Sequence, residues 1–429
     1  MKTAARRWAI AATALLGVLV VGAWLLARSY VPSNEELARR VESEFEARMG
    51  QALVVREARW RVRGTPVIEL RDVHTVQPGE AGIRAKRLAI YPQLLPLLDK
   101  RLVIDRLEVD GADVPRQALA AYRNKLQDAH DDQSASVVLR HLAFKDLTYT
   151  SYSGVPLRYD GDVTFNETDR LPQHVSLRRS DARTPATLEA TRDGKSDDGA
   201  DVYRLQLQAG GGTARGQARL ATSKGGRMTL TGELTPRQVE IQALLESFER
   251  RSVVGGRASG ETTLRAEGDT VGELFRSLRT RSTLQVEGAR LLRVDLDKAI
   301  KSLGEDRTGE TPLDRLSGVM VTQNTAQGLK TSFTQVEAVA GSYSASGEAT
   351  LYRRQIQAKG RLEAAGGVVD VPFSAHGPTR DPTFEMAWGS IAGAAIGTAV
   401  LPGIGTFIGA KIGGAVSEPP PIPPARERR

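Results

Sequence analysis

Any catalysis in this chain would fall to its histidines, carboxylates and hydroxyls, because none of the 429 residues is a cysteine. That excludes cysteine nucleophiles, thiolate metal sites and a disulfide framework. His74, His130, His141, His174 and His376 are scattered, and no H-E-x-x-H, G-x-S-x-G or P-loop spacing accompanies them. Asp128, His130, Asp131 and Asp132 stand close enough together to suggest metal ligands. Nothing beside them would orient such ligands, and a solvated loop is the better reading. Glu69, Asp72, Asp105, Glu108 and Asp110 fall on expected strands or strand ends, where a wet face carries charge. Asn166-Glu167-Thr168 spells a glycosylation sequon, uninformative if the host is bacterial. The expectation is therefore no enzyme, no metal and no cofactor.

The remaining signals lie in the elements. Residues 8–27 run without a charge, 20 residues that would make a helix of about 30 Å and cross a bilayer core. Lys2, Arg6 and Arg7 precede them, so the positive-inside rule keeps the N-terminus in the cytoplasm and sends the rest across. A cleaved signal peptide is the alternative, but the run exceeds the usual apolar region and no clear A-x-A site follows. Next comes a juxtamembrane helix opened by Ser33 with Glu36 and closed by Gly50. Its stripe of Leu37, Val41, Phe45 and Met49 needs a partner surface, which the first strands are expected to provide. The 59 basic against 51 acidic residues give +8, partly at the two ends, and aromatic residues are only 5%. Neither supports a nucleic-acid partner.

From about residue 52 the apolar period changes to two. Tyr203, Leu205, Leu207 and Ala209 alternate with Arg204, Gln206 and Gln208. Ala258 to Ala266, Leu284 with Val286, and Ile356 to Leu362 repeat the pattern, each run ending near Gly, Asp or Asn. Short strands without regularly interposed helices predict an antiparallel or meandering sheet, one face apolar and one wet. Cover for the apolar face is scarce. Helices are expected at residues 116–128, at 235–250 with Thr235 as cap and Pro236 in the first turn, at 270–278 and at 296–303. They could plug the ends of a sheet but could not blanket it.

Several stretches resemble the AsmA family. Val67-Ile68-Glu69-Leu70-Arg71-Asp72-Val73 looks like its first strand. Ala85, Arg87, Leu88 and Ile90, then Leu94-Leu95-Pro96-Leu97-Leu98, Arg101-Leu102-Val103-Ile104 and Leu107-Glu108-Val109-Asp110-Gly111, resemble its opening. Leu274-Phe275-Arg276-Ser277-Leu278, residues 284–288 and Val294-Asp295-Leu296 resemble its C-terminal signature, with Val371-Pro372-Phe373, Gly377 and Asp381-Pro382 like its closing strands. The chain is shorter than the long members of that group, and its last segment departs from the pattern. The resemblance implies an inner-membrane anchor and a periplasmic, elongated and curved antiparallel β-groove with a few short helices. It also implies kinship with bridge-like lipid-transfer proteins active in outer-membrane biogenesis and phospholipid transport or homeostasis.

An apolar trough suits that work, since each buried methylene of an acyl chain contributes about 0.8 kcal/mol. Leu88, Ile90, Val103, Leu107, Val109, Leu205, Leu207, Leu264, Leu284 and Val286 are the candidate groove residues, with ordinary core as the competing reading for each. The expected partners are membrane phospholipid, the inner membrane and an outer-membrane or envelope protein. A scaffold that assists outer-membrane protein or lipopolysaccharide assembly without carrying lipid is the alternative. Residues 387–416 carry Gly389, Gly393 and Gly397 in one arm and Gly405, Gly409 and Gly413 in the other, a glycine-zipper hairpin expected to enter a membrane, self-associate or cap the groove. The expected layout is an anchor at 1–30, the helix at 31–50, the groove domain at 51–386, this hairpin, and a disordered Pro/Arg tail at 417–429.

Overall fold

A computed structural model describes residues 33–61, 66–76, 82–93, 95–98, 102–116, 118, 137–150, 154–169, 171–269, 271–302, 305–306, 308–325, 327–364, 369–379 and 382–386. These residues are mainly β-structure, 22 strands and five helices, in one mostly antiparallel sheet in which Leu102–Pro115 pairs parallel with both Val137–Leu139 and His141–Thr150. The chain divides into two compact units. One is Met1–Leu234 with Ser247–Glu249 and Leu264–Leu278; the other is Thr235–Glu246 with Arg250–Thr263 and Arg279–Arg429.

The first unit begins with α1 (Asn34–Met49). Ser33 caps it by accepting the Glu36 N–H at 3.2 Å, and Gly50 ends it at φ 64, in the left-handed region. Leu37, Val41 and Phe45 are at most 1% exposed. They pack into one cluster with β1 (Ala52–Arg61), β2 (Val67–Val76), β3 (Arg84–Pro92) and, beyond the one-turn α2 (Leu95–Leu98), β4 (Leu102–Pro115). At about 1.5–3 kcal/mol for each large side chain buried, that stripe fixes the helix on the sheet, as its spacing predicts.

The one parallel step follows, β4 pairing with β5 (Val137–Leu139) and β6 (His141–Thr150). The ladder then continues antiparallel through β7 (Pro156–Phe165), β8 (Pro172–Arg179), β9 (Thr187–Lys195), β10 (Asp201–Ala209) and β11 (Gly212–Thr222). Gly210 and Gly211, at φ 56 and 70, make the two-residue turn between β10 and β11, whose twist requires positive φ at both positions. Next in order come β12 (Met228–Arg237), β13 (Val239–Glu240), α3 (Ile241–Glu246), β14 (Val254–Gly268) and α4 (Val271–Ser277). Leu274 in the middle of α4 and Leu278 just past its end close on Tyr203, Leu220, Leu234, Leu264 and Ala266.

The second unit is carried by β15 (Arg279–Leu292), α5 (Leu296–Lys301), β16 (Glu310–Pro312), β17 (Arg315–Thr325), β18 (Gly328–Ala340), β19 (Tyr343–Tyr352), β20 (Gln355–Ala364), β21 (Val369–Pro378) and β22 (Thr383–Met386). β15 pairs with β16 and β17, and from β17 onward each strand pairs with the next. Its buried cluster is small: Ala299 of α5 against Leu362, Ala364 and Val371.

The expected helix at 235–250 shrinks to α3. Thr235 to Arg237 extend β12, Gln238 turns through φ 52, and Val239 and Glu240 pair with Ala258 and Arg257. Sheet hydrogen bonds there outweigh a local capping pattern. The helices at 270–278 and 296–303 are present as α4 and α5. The helix expected at 116–128 lies outside the described residues, apart from Arg116 and Ala118. So do the span at 8–27, the hairpin at 387–416 with all six of its glycines, and the tail. Among the described residues no helix is long and apolar enough to cross a membrane.

Candidate functional site

The strand register of the second unit sorts its side chains into two unlike faces. Ser282, Met320, Phe333, Ala349, Ala358, Ala375 and Phe384 stand side by side from β15 across β17 to β22. The flanking row towards one end reads Thr280, Thr322, Thr331, Leu351, Ile356 and Gly377. Towards the other end stand Leu284 opposite Gly318, then Val336, Gly347, Gly360, Phe373 and Met386. Leu316, Ala338, Ala345, Leu362 and Val371 follow. No Asp, Glu, Lys or Arg occurs on these four rows. The bulge at Gln335, φ 51, restores the alternation after Phe333 so that Val336 and Ala338 stay on the same side.

This face is largely uncovered by the rest of the described residues. Met320, Phe333, Val336, Leu351, Ile356 and Ala375 are half-buried, and Leu329 and Phe384 are 39% and 36% exposed. The reverse face is polar throughout β19 and β20, with Lys359 paired to Glu348 at 3.0 Å and Arg361 paired to Asp370. Glycines deepen the apolar side. Gly347 and Gly360 pair directly, and a methyl on Gly360 would stand 2.4 Å from Phe373 Cζ, so the ring lies over the bare backbone. Phe373 in turn stacks on Phe384, centroids 6.0 Å apart. At one end α5 seals the face, Ala299 fully buried and Leu296 packed beside Tyr343, Ala345 and Phe373. Burial, with Asp297 adding to it, pushes the Tyr343 hydroxyl above its ordinary pKa.

The sequence-based candidates divide among three settings. Leu88, Ile90, Leu107 and Val109 are at most 3% exposed inside the cluster under α1, and Val103 is buried at 8% outside it. Leu205 and Leu207 are half-buried on the first unit's apolar face, and Leu264 is closed in by α4. Leu284 and Val286 are half-buried on β15, Leu284 on the uncharged face through its pairing with Gly318. Reading single runs missed Met320, Phe333, Leu351, Ala375 and Phe384. The available signal was the repeat of one uncharged parity in every strand after residue 315.

Charge interrupts the first unit's face. Arg192 pairs with Tyr203 in the ladder and holds both Asp201 and Asp169, its side chain 7% exposed. Hydrogen bonding from Arg192 holds Asp169 below the carboxylate range, and burial pushes the Tyr203 hydroxyl up to about 12. On the same side, opposite Tyr159, the buried Arg179 lies between the Tyr159 and Phe248 rings and donates to Asp181 and the Ser247 carbonyl.

On the reverse face of β2 to β4, the carboxylates Glu69, Glu108 and Asp110 are stitched by Arg87 at 3.2, 3.1 and 2.7 Å. The arrangement neutralises charge. A cavity of about 310 Å³ beside α3 is lined mostly by polar side chains, among them Gln242, Glu246, Arg251 and Glu310, and does not suit a hydrocarbon tail. Among the described residues no group of His, Asp and Glu could hold a metal ion. No family model matches this chain, and no curated protein and no solved structure matches it.

Proposed function

We propose that this chain is an AsmA-like, inner-membrane-anchored periplasmic protein that carries lipid in an apolar groove and serves outer-membrane biogenesis and phospholipid transport or homeostasis. The observation that carries the reading is the uncharged, half-exposed face of β17 to β22. Four rows two residues apart span about 20 Å along the strands, somewhat more than the ~15 Å of one bilayer leaflet's hydrocarbon. Met, Phe, Leu, Ile and Ala side chains with interspersed glycines offer such a chain dispersion contact and no charge to select among tails. The result is broad, weak binding, suited to passage. The uncharged run of residues 8–27, preceded by Lys2, Arg6 and Arg7, supports the anchor, and the motif resemblance supports the periplasmic setting.

Photo-crosslinking tests the reading in the full-length chain in cells. A benzophenone amino acid at Phe333 or Leu351 should yield lipid adducts by mass spectrometry, and one at Lys359 or Ser346 on the reverse face should not. Adducts to protein alone at Phe333 and Leu351 would replace the carrier with the assembly scaffold.

A further inference from the structure

The two ends of the second unit's uncharged face differ. One is closed by α5. At the other, turns join β17 to β18, β19 to β20 and β21 to β22, and Leu329 is exposed there, with Phe384 exposed further in. Just beyond the last apolar row, the polar side places Arg279 opposite Gln323 and Gln323 opposite Lys330. The β19–β20 turn adds Arg353 and Arg354, so four exposed cations ring this end. Among the described residues no Asp or Glu stands on that row or in its turns, and Arg279, Lys330 and Arg353 form no ion pair.

The turn itself is unusual. Arg353 and Arg354 lie at φ 51 and 63, the positions that glycines occupy in the equivalent β10–β11 turn. Arg353 rests over the Tyr352 ring at 5.4 Å, and the Tyr352 hydroxyl is held by Thr325 and Gln327. Local folding favours Asn-Gly here, and the sequence places two guanidiniums in its stead.

We propose that this open end docks on an anionic phospholipid bilayer, the four cations meeting headgroup phosphates while Leu329 enters the interface. The inference rests on the lipid-carrying reading of the adjoining face. Among the described residues, cations beside an exposed leucine match a charged bilayer surface, with its phosphates outside and hydrocarbon within. An acidic protein would satisfy the cations and leave the greasy mouth unused.

The chain has no cysteine, so Gln355→Cys admits a single polarity-sensitive dye at the rim. The full-length labelled protein, held in phosphatidylcholine nanodiscs, is titrated with vesicles of phosphatidylcholine alone or with about a third phosphatidylglycerol. The expected result is dye burial with the anionic vesicles only, weakened by salt. R353N/R354G supplies the residues this turn prefers, so it keeps the fold, and it should bind roughly 30-fold more weakly, while R353K/R354K should bind nearly as the parent does.

Equal response to both vesicles, no response to either, or no effect of R353N/R354G would overturn the inference, as would capture of an acidic protein by the rim in place of vesicles. The two readings fail separately. Lipid adducts at Phe333 with no vesicle docking would remove only the rim, and docking without adducts would remove only the carrier.

Discussion

Leu107 and Phe333 are both strand residues with apolar neighbours, and the same substitution separates them. Leu107 is wholly buried in the cluster that α1 joins, so Leu107→Asp places an unpaired carboxylate in a close-packed core. A loss of at least about 3 kcal/mol is expected, with no cooperative thermal transition in the far-ultraviolet circular dichroism. Phe333 is half-buried on the uncharged face, where an added carboxylate stays in contact with water. Phe333→Asp should fold with a Tm within a few degrees of the parent and co-purify with less lipid. If both variants unfold, the second face is a core and not a groove.

At the scale of elements, charge does for the wet side of β2 to β4 what apolar packing does for the other side. Glu69 joins β2 to β3 through Arg87, which also reaches Glu108 and Asp110 of β4. Burial alone would push the Glu69 carboxyl up, but the guanidiniums of Arg71 and Arg87 outweigh it and hold the group below its ordinary 4.5. A folded-state pKa below the unfolded one contributes stability fully present above about pH 4.5 and lost as the pH falls through the folded value. Glu69→Gln should therefore lower Tm at neutral pH, with the gap to the parent closing on acidification. A gap independent of pH would mean that the carboxylate acts by shape alone.

For the molecule as a whole, the contrast lies between two kinds of interior. The first unit holds the cluster that runs from Leu37 to Leu177 and a second one around Tyr203 and Leu274. The second unit buries only Ala299, Leu362, Ala364 and Val371 in its cluster and leaves the rest of its apolar face half-open. Fewer buried contacts imply smaller local opening free energies. In amide hydrogen exchange, β17 to β20 should exchange well before β2 to β4, and added phospholipid should slow the former selectively, since a ligand of the folded state stabilises what it binds. Uniform protection in both units, unmoved by lipid, would speak against a face built for exchange of occupants.

Much of this was legible one residue at a time. Period-two runs marked β10, β14, β15 and β20, the Ser33–Glu36 box and Gly50 bounded α1, and its four-residue stripe required a partner sheet. Those signals are local, each depending on residues within a turn or a pleat of one another. The helix expected at 235–250 failed because strand pairing across some twenty residues overrode its cap. Which apolar faces are closed was beyond the sequence, since Leu107 and Phe333 look alike until the register aligns their neighbours and the helices settle on one end or the other. Burial is a property of what lies across the space above a strand, and only the tertiary arrangement decides that.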